Sequence, residues 1–169
     1  MTDKSNPHGF VAATITRVKN DTGFRAVMSR AAHPAFESAA WEYLLPFCNI
    51  ENDFERIPFA LIGAAIARNR PERDGTAGLG EAFHRICRTA EDREREGRRF
   101  RRLLSCDSAM DLCQVVRPAV DYLVQRGALI NYEQLLRDLL FWSQQTKLRW
   151  TVQFYGSPAD EAEGKEAAE

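Results

Sequence analysis

The stretch Ser108–Gly127, SAMDLCQVVRPAVDYLVQRG, decides the fold class. Its apolar residues Leu112, Val115, Val116, Ala119, Val120 and Leu123 recur at spacings of three and four. That period gathers them on one stripe of a helix, whereas a strand would scatter them over both faces. Ser108 followed by Asp111 has the form of a capping box, and Gly127 stands where a C-terminal glycine belongs. Pro118 interrupts the pattern. A proline inside a helix removes one hydrogen bond and costs about 3 kcal/mol unless the backbone bends, so a kink is expected there.

The same period runs outward in both directions, and no segment shows the period-2, β-branched pattern of a strand. Upstream, Val11, Ile15 and Val18 mark a first helix, and Asp21 can cap a second that carries Phe24, Val27, Met28 and Ala31. Pro34 can open a third with Ala40, Trp41, Leu44 and Leu45 on one face, and Pro58 suits the first turn of a fourth facing Phe59, Ile62 and Ile66 inward. Helices over 81–89, 91–104, 108–125, 132–142 and 146–155 follow. The expected class is all-α, a compact bundle of about eight or nine helices in two lobes. Residues 1–68 form the N-terminal lobe and 78–155 the C-terminal lobe. Between them, 69–77 is polar and broken by Pro71 and Gly75, with no apolar face to pin it, so a mobile loop is expected. Residues 156–169 read as a disordered acidic tail.

A chain of 169 residues with 44% hydrophobic and 28% charged residues can bury a core of its own. No run approaches the roughly 20 apolar residues of a membrane span, and the first residues lack the order of a secretory signal, which leads to the expectation of a cytoplasmic protein without membrane contact. Cys48, Cys87, Cys106 and Cys113 include no C-x-x-C pair, and His8, His33 and His84 are scattered. Neither a zinc site nor an activated nucleophile is expected, and no cofactor. Glu133 and Asp138 read as structural acids, and Trp142, Trp150, Phe154 and Tyr155 as core aromatics rather than base-stacking platforms.

The charge is where the sequence speaks. The net value is −1, but 19 of the 23 cations are arginine, whose planar fork matches phosphate oxygens. From Pro158 onward the chain carries −4, which leaves the remainder at +3. Residues 85–102 hold eight arginines against four acids. Arg95, Arg98, Arg99 and Arg102 fall at i, i+3, i+4 and i+7, beside a core stripe of Phe100, Leu103 and Leu104. Two uses suit such an acid-free face: plain solvation, or a track for a phosphate backbone contacted without regard to sequence.

Several ordered motifs carry a resemblance. They are Asp21-Thr-Gly-Phe-Arg-Ala with Arg30, then Pro34 and Trp41, then Gly78-Leu-Gly80 with Ala82. Arg98-Arg-Phe-Arg-Arg-Leu-Leu-Ser-Cys-Asp107 follows, then Tyr132-Glu-Gln-Leu-Leu-Arg-Asp-Leu-Leu-Phe-Trp142, Lys147-Leu-Arg-Trp150 and Phe154-Tyr155. Over roughly residues 21–155 the chain resembles the CasB family, the small subunit of the type I-E CRISPR surveillance complex Cascade. The resemblance implies a non-enzymatic subunit, present as two stacked copies beside the large subunit and the crRNA-backbone subunits. Its basic face would contact crRNA and target DNA and hold the R-loop and the displaced strand. By position, the resemblance assigns that face to Arg30, Arg98, Arg99, Arg102, Arg117, Lys147 and Arg149, and Arg25 and Arg137 join them from within two of the motifs. The sequence departs from some relatives in having Ser105 in place of arginine and Pro118 beside Arg117. Two other classes stay open: a helical DNA-binding regulator, which would need a base-reading recognition helix, and a protein-interaction bundle. Arg30, Arg99 and Arg117 are expected to converge on one face, with little effect on stability when replaced.

Overall fold

The computed structural model describes residues 5–156, so the acidic-tail expectation lies outside the described residues apart from Gly156. Among the described residues the chain is all-α: nine α-helices and one short 3-10 turn, with a single isolated bridge between Ala77 and Ile130 and no strand. No helix among them is long and apolar enough to cross a membrane.

Helix α1 (Pro7–Asn20) starts where the Asn6 side chain accepts the Gly9 N–H at 2.9 Å, and it buries Phe10, Val11, Thr14, Ile15 and Val18. Asp21 then caps α2 (Thr22–Met28) through the Phe24 N–H at 2.8 Å. The third helix departs from expectation. Pro34 sits in a chain of tight turns, and only the 3-10 turn Glu37–Ala40 and the single α-turn α3 (Trp41–Leu44) form. Ala40 and Leu44 are fully buried, whereas Trp41 and Leu45 are 41% and 52% exposed. One short turn can direct only positions i and i+4 at the core, and the next pair along points outward.

Helix α4 (Asp53–Asn69) begins five residues before Pro58, which lies in its interior rather than its first turn. Asn52 supplies the cap to the Phe54 N–H, and Asp53 and Glu55 complement the helix dipole, so the start is set upstream of the proline. The carbonyl left without a partner belongs to Phe54, a residue 64% exposed, where water can take it. From Phe59 to Ala67 every residue of α4 is buried, as befits a helix enclosed on all sides. It packs against α1 and α2 on one side and, on the other, α7 (Ala109–Gln125) and α8 (Tyr132–Leu140). One continuous core therefore joins both halves of the chain.

In the second half, α5 (Leu79–Ile86) lies against α9 (Gln144–Tyr155), with α6 (Ala90–Leu104) alongside. Phe83, Phe100 and Phe154 meet there with ring centroids 4.7 to 6.3 Å apart. A Cβ on Gly80 would run into the Trp150 carbonyl, so glycine is what lets α5 and α9 approach this closely. The Ser108–Asp111 capping box forms, and Gly127 has φ of 86°, the left-handed value expected of it. Pro118 occupies the exposed side of α7. Trp150 and Phe154 are fully buried; the Trp150 indole N–H donates to Asp138 at 2.7 Å, and Trp142 donates to the Cys106 carbonyl at 3.0 Å.

The segment 69–77 is held by polar contacts, and Ala77 near its end is fully buried in the core. The Asp74 carboxylate accepts the backbone N–H of Tyr132 at 2.6 Å and of Glu133 at 3.2 Å, capping α8 from outside its own chain segment. Gly75 and Ala77 donate to the Ile130 and Leu129 carbonyls, and Asn131 returns a bond to Ala77. Burial nevertheless pushes the Asp74 carboxyl above its usual range, against the lowering effect of those backbone bonds.

Candidate nucleic-acid interface

The arginine stripe on α6 is real, but it is not free of acids. A second capping box, Thr89 with Asp92, starts this helix and places Asp92 beneath Arg95, whose guanidinium bonds both Asp92 and Glu96. Arg98 pairs with Glu94 at 2.8 Å, and Arg99 pairs with Glu96 at 3.1 Å. Three of the four arginines are therefore paired with acids of their own helix. The reason is helical spacing: acids one to four residues away reach the same surface. Arg102 alone of the four has no ion pair among the described residues.

Glu96 organises this face from below. Its side chain is 1% exposed, and it accepts from Arg95, Arg99 and the Tyr122 hydroxyl of α7, the last at 2.7 Å. Burial pushes its carboxyl up, but the bonds from Tyr122, Arg99 and Arg95 outweigh that and hold it below the usual range. Arg99 in turn lies 4.2 Å over the Tyr122 ring. Arg99 is thus fixed at both its charge and its plane, and its removal strips a partner from a buried carboxylate. Its replacement is therefore expected to affect stability more than that of an arginine without such partners.

Two open grooves flank α7. One, of about 350 Å³, runs between α6 and α7 and is edged by Arg99, Arg102, Pro118 and Tyr122. The other, of about 380 Å³, is walled by Ala31, Pro34, Ile57, Leu61, Cys113 and Arg117, with Glu37 also on its wall, paired to Arg56 at 2.7 Å. Gln114, an exposed residue of α7, lines both. Arg99, Arg102 and Arg117 are so brought together around α7. Arg30 stands one residue from the second groove without lining it, its guanidinium 5.3 Å over the Phe36 ring. Lys147 of α9 lines neither groove; burial and Asp111 hold the Cys106 thiol above its usual range, with Lys147 and Arg102 opposing them. Lys147 also stands 5.5 Å over the Trp142 ring.

Three expected residues lie elsewhere in local duties. Arg25 donates to the Val18 carbonyl in the last turn of α1. Arg137 bonds Glu133, which also meets His8 of α1 at 2.7 Å. Arg149 pairs with buried Asp138. Glu133 and Asp138 each pair with an arginine of the second half of the chain. Reading the sequence alone misses Glu96, Gln114 and Tyr122. Glu96 precedes Phe100 and Leu103 by four and seven residues, the core stripe itself, and that spacing is the signal that betrays its burial. Among the described residues no group of three or more histidine, cysteine or acidic side chains could hold a metal ion. Burial pushes the Cys48 and Cys113 thiols up to about 12, so both stay protonated at neutral pH.

Fold and surface define a class of protein: an all-α bundle whose arginine-edged grooves lie open to solvent. A family model described as CRISPR-associated protein Cse2 matches residues 24–155. The chain belongs to this family and with it to the small subunits of type I-E Cascade in CRISPR defence, as its motifs lead one to expect. Its fold is similar to that in the crystal structure of CasB from Thermus thermophilus, at 22% sequence identity and a TM-score of 0.68, over 90% of this chain and 99% of that one. No curated protein matches the sequence.

Proposed function

We propose that this Cascade subunit is non-catalytic and cytoplasmic, and that it steadies the crRNA–target DNA duplex and the displaced strand through the α6–α7 face. The reading rests on one observation: Arg102 and Arg117, exposed and without an ion pair among the described residues, edge adjoining grooves that meet at Gln114. Guanidiniums not already neutralised are the ones that can release counterions from a phosphate backbone. Opening a target duplex exchanges one duplex for another of similar stability, so a few backbone contacts suffice to tip the balance. The subunit's partners in this reading are the large subunit, the crRNA-backbone subunits, a second copy of itself, crRNA and target DNA. No base-reading helix is involved, and affinity is the same for unrelated sequences.

The test is the salt dependence of target-DNA binding by the whole complex. Carrying Arg102→Ala and Arg117→Ala, the complex should bind more weakly on every target sequence. The slope of log affinity against log salt should shrink by roughly 0.7 to 0.9 for each phosphate that is no longer neutralised. An unchanged slope in a complex of full composition refutes the assignment.

A further inference from the structure

We infer that Arg126 is a further contact for a nucleic-acid phosphate, and that Tyr122 is the residue that positions it together with Arg99. The inference rests on the nucleic-acid reading of the α6–α7 face and carries that face past the end of its groove. The groove is edged by Arg99, Arg102, Pro118 and Tyr122. Along α7, Pro118, Tyr122 and Arg126 follow at intervals of four residues and so share one side, with Arg126 about 6 Å beyond Tyr122 along the axis. The backbone there is fixed: the Arg126 N–H donates to the Leu123 carbonyl at 3.1 Å and the Tyr122 carbonyl at 3.2 Å, closing the helix.

The exposed Arg126 guanidinium lies 5.2 Å over the Tyr122 ring, and that of Arg99 lies 4.2 Å over the same ring. The ring is itself anchored, because its hydroxyl donates to buried Glu96 at 2.7 Å and Glu96 also accepts from Arg99. One aromatic side chain therefore places two cations that come from different helices. Stacking occupies the face of a guanidinium and leaves its N–H edge to donate. It also gathers two like charges at one ring, where they repel, and a phosphate bound beside both relieves that repulsion. A cation at the last turn of α7 complements the helix dipole too, but that role acts on stability alone.

The experiment measures target-DNA binding by the complete complex from about 50 to about 200 mM salt, with Arg102→Ala as the reference for the face. Arg126→Ala should bind every target sequence more weakly. Its salt slope should shrink by roughly 0.7 to 0.9, so that this rise in salt costs it about threefold less affinity than it costs wild type. Tyr122→Leu and Arg126→Lys keep the charges and lose the stack, so both should bind roughly two- to fivefold more weakly with the wild-type slope. Tyr122→Phe keeps the ring and should bind as wild type does. A duplex target is compared with the complementary single strand. Losses confined to the duplex assign the phosphate to the displaced strand, and losses on both assign it to the guide–target duplex. A wild-type slope in Arg126→Ala beside a reduced slope in Arg102→Ala overturns the Arg126 contact and leaves the nucleic-acid reading standing. Wild-type slopes in both overturn that reading as well. Wild-type affinity in Tyr122→Leu, or in Arg126→Lys should Tyr122→Leu fail to assemble, overturns the positioning role.

Discussion

Glu96 lies within a run of residues that holds eight arginines, and the fold buries it to 1% exposure beneath two of them. With its carboxyl held below the usual range, the sign of its pH effect follows. The stabilisation is complete above the ordinary value of 4.5 and is lost as pH falls through the lower folded-state value. Glu96→Gln should therefore be less stable than wild type at pH 7 by roughly 2 kcal/mol, the worth of charge-assisted bonds given up. The deficit should close as the pH is taken below 4.5, which denaturant melts at a series of pH values will read. The same anatomy separates two neighbouring arginines. Arg99→Ala should weaken nucleic-acid binding and also cost about 1 kcal/mol, since it unpairs part of Glu96 and uncovers Tyr122. Arg102→Ala should weaken binding with stability unchanged to within about 0.5 kcal/mol. Equal stability losses in the two variants would contradict the partner assignment.

Among the elements, the α5–α9 pair is the most constrained. Gly80 costs α5 some intrinsic helix propensity, so Gly80→Ala would gain about 1 kcal/mol if nothing stood nearby. The added Cβ meets the backbone carbonyl of Trp150, which cannot swing aside as a side chain could. Overpacking of this kind costs about 1–3 kcal/mol, and it should win. Thermal unfolding of Gly80→Ala should show a lower Tm, and an increase would mean that the helices are not held at this distance. Element boundaries show how far local signals reach. Asn52, Asp53 and Glu55 start α4 against the pull of Pro58, because a cap and favourable dipole charges act at the first turn while a buried proline can be absorbed further on. The stretch after Pro34 has apolar residues at helical spacing but is too short to bury both pairs, so Trp41 and Leu45 stay half in water.

For the whole molecule, α4 packs on α1 and α2 in one half and on α7 and α8 in the other, and one core runs through both. Both halves should consequently unfold together, in a single transition with coincident fluorescence and circular-dichroism curves; two resolved transitions would mean that the lobes are independent. The helical class, the caps at Asp21 and Ser108, the αL glycine at Gly127 and the buried stripe of α7 were all legible in the sequence. Each depends on residues within four positions of one another, where chain geometry alone fixes which side chains meet. The motifs likewise carried the family, because their order along the chain needs no coordinates. Which arginines are free was not legible. Arg99 is committed to Glu96 only because Tyr122, 26 residues further along, helps bury that acid. Asp74 caps α8 across 58 residues, and Gln114 links two grooves only where α7 is packed between α4 and α6. A charge is used or left over according to what tertiary packing brings beside it and how much water that packing removes, and no periodicity in the chain encodes either.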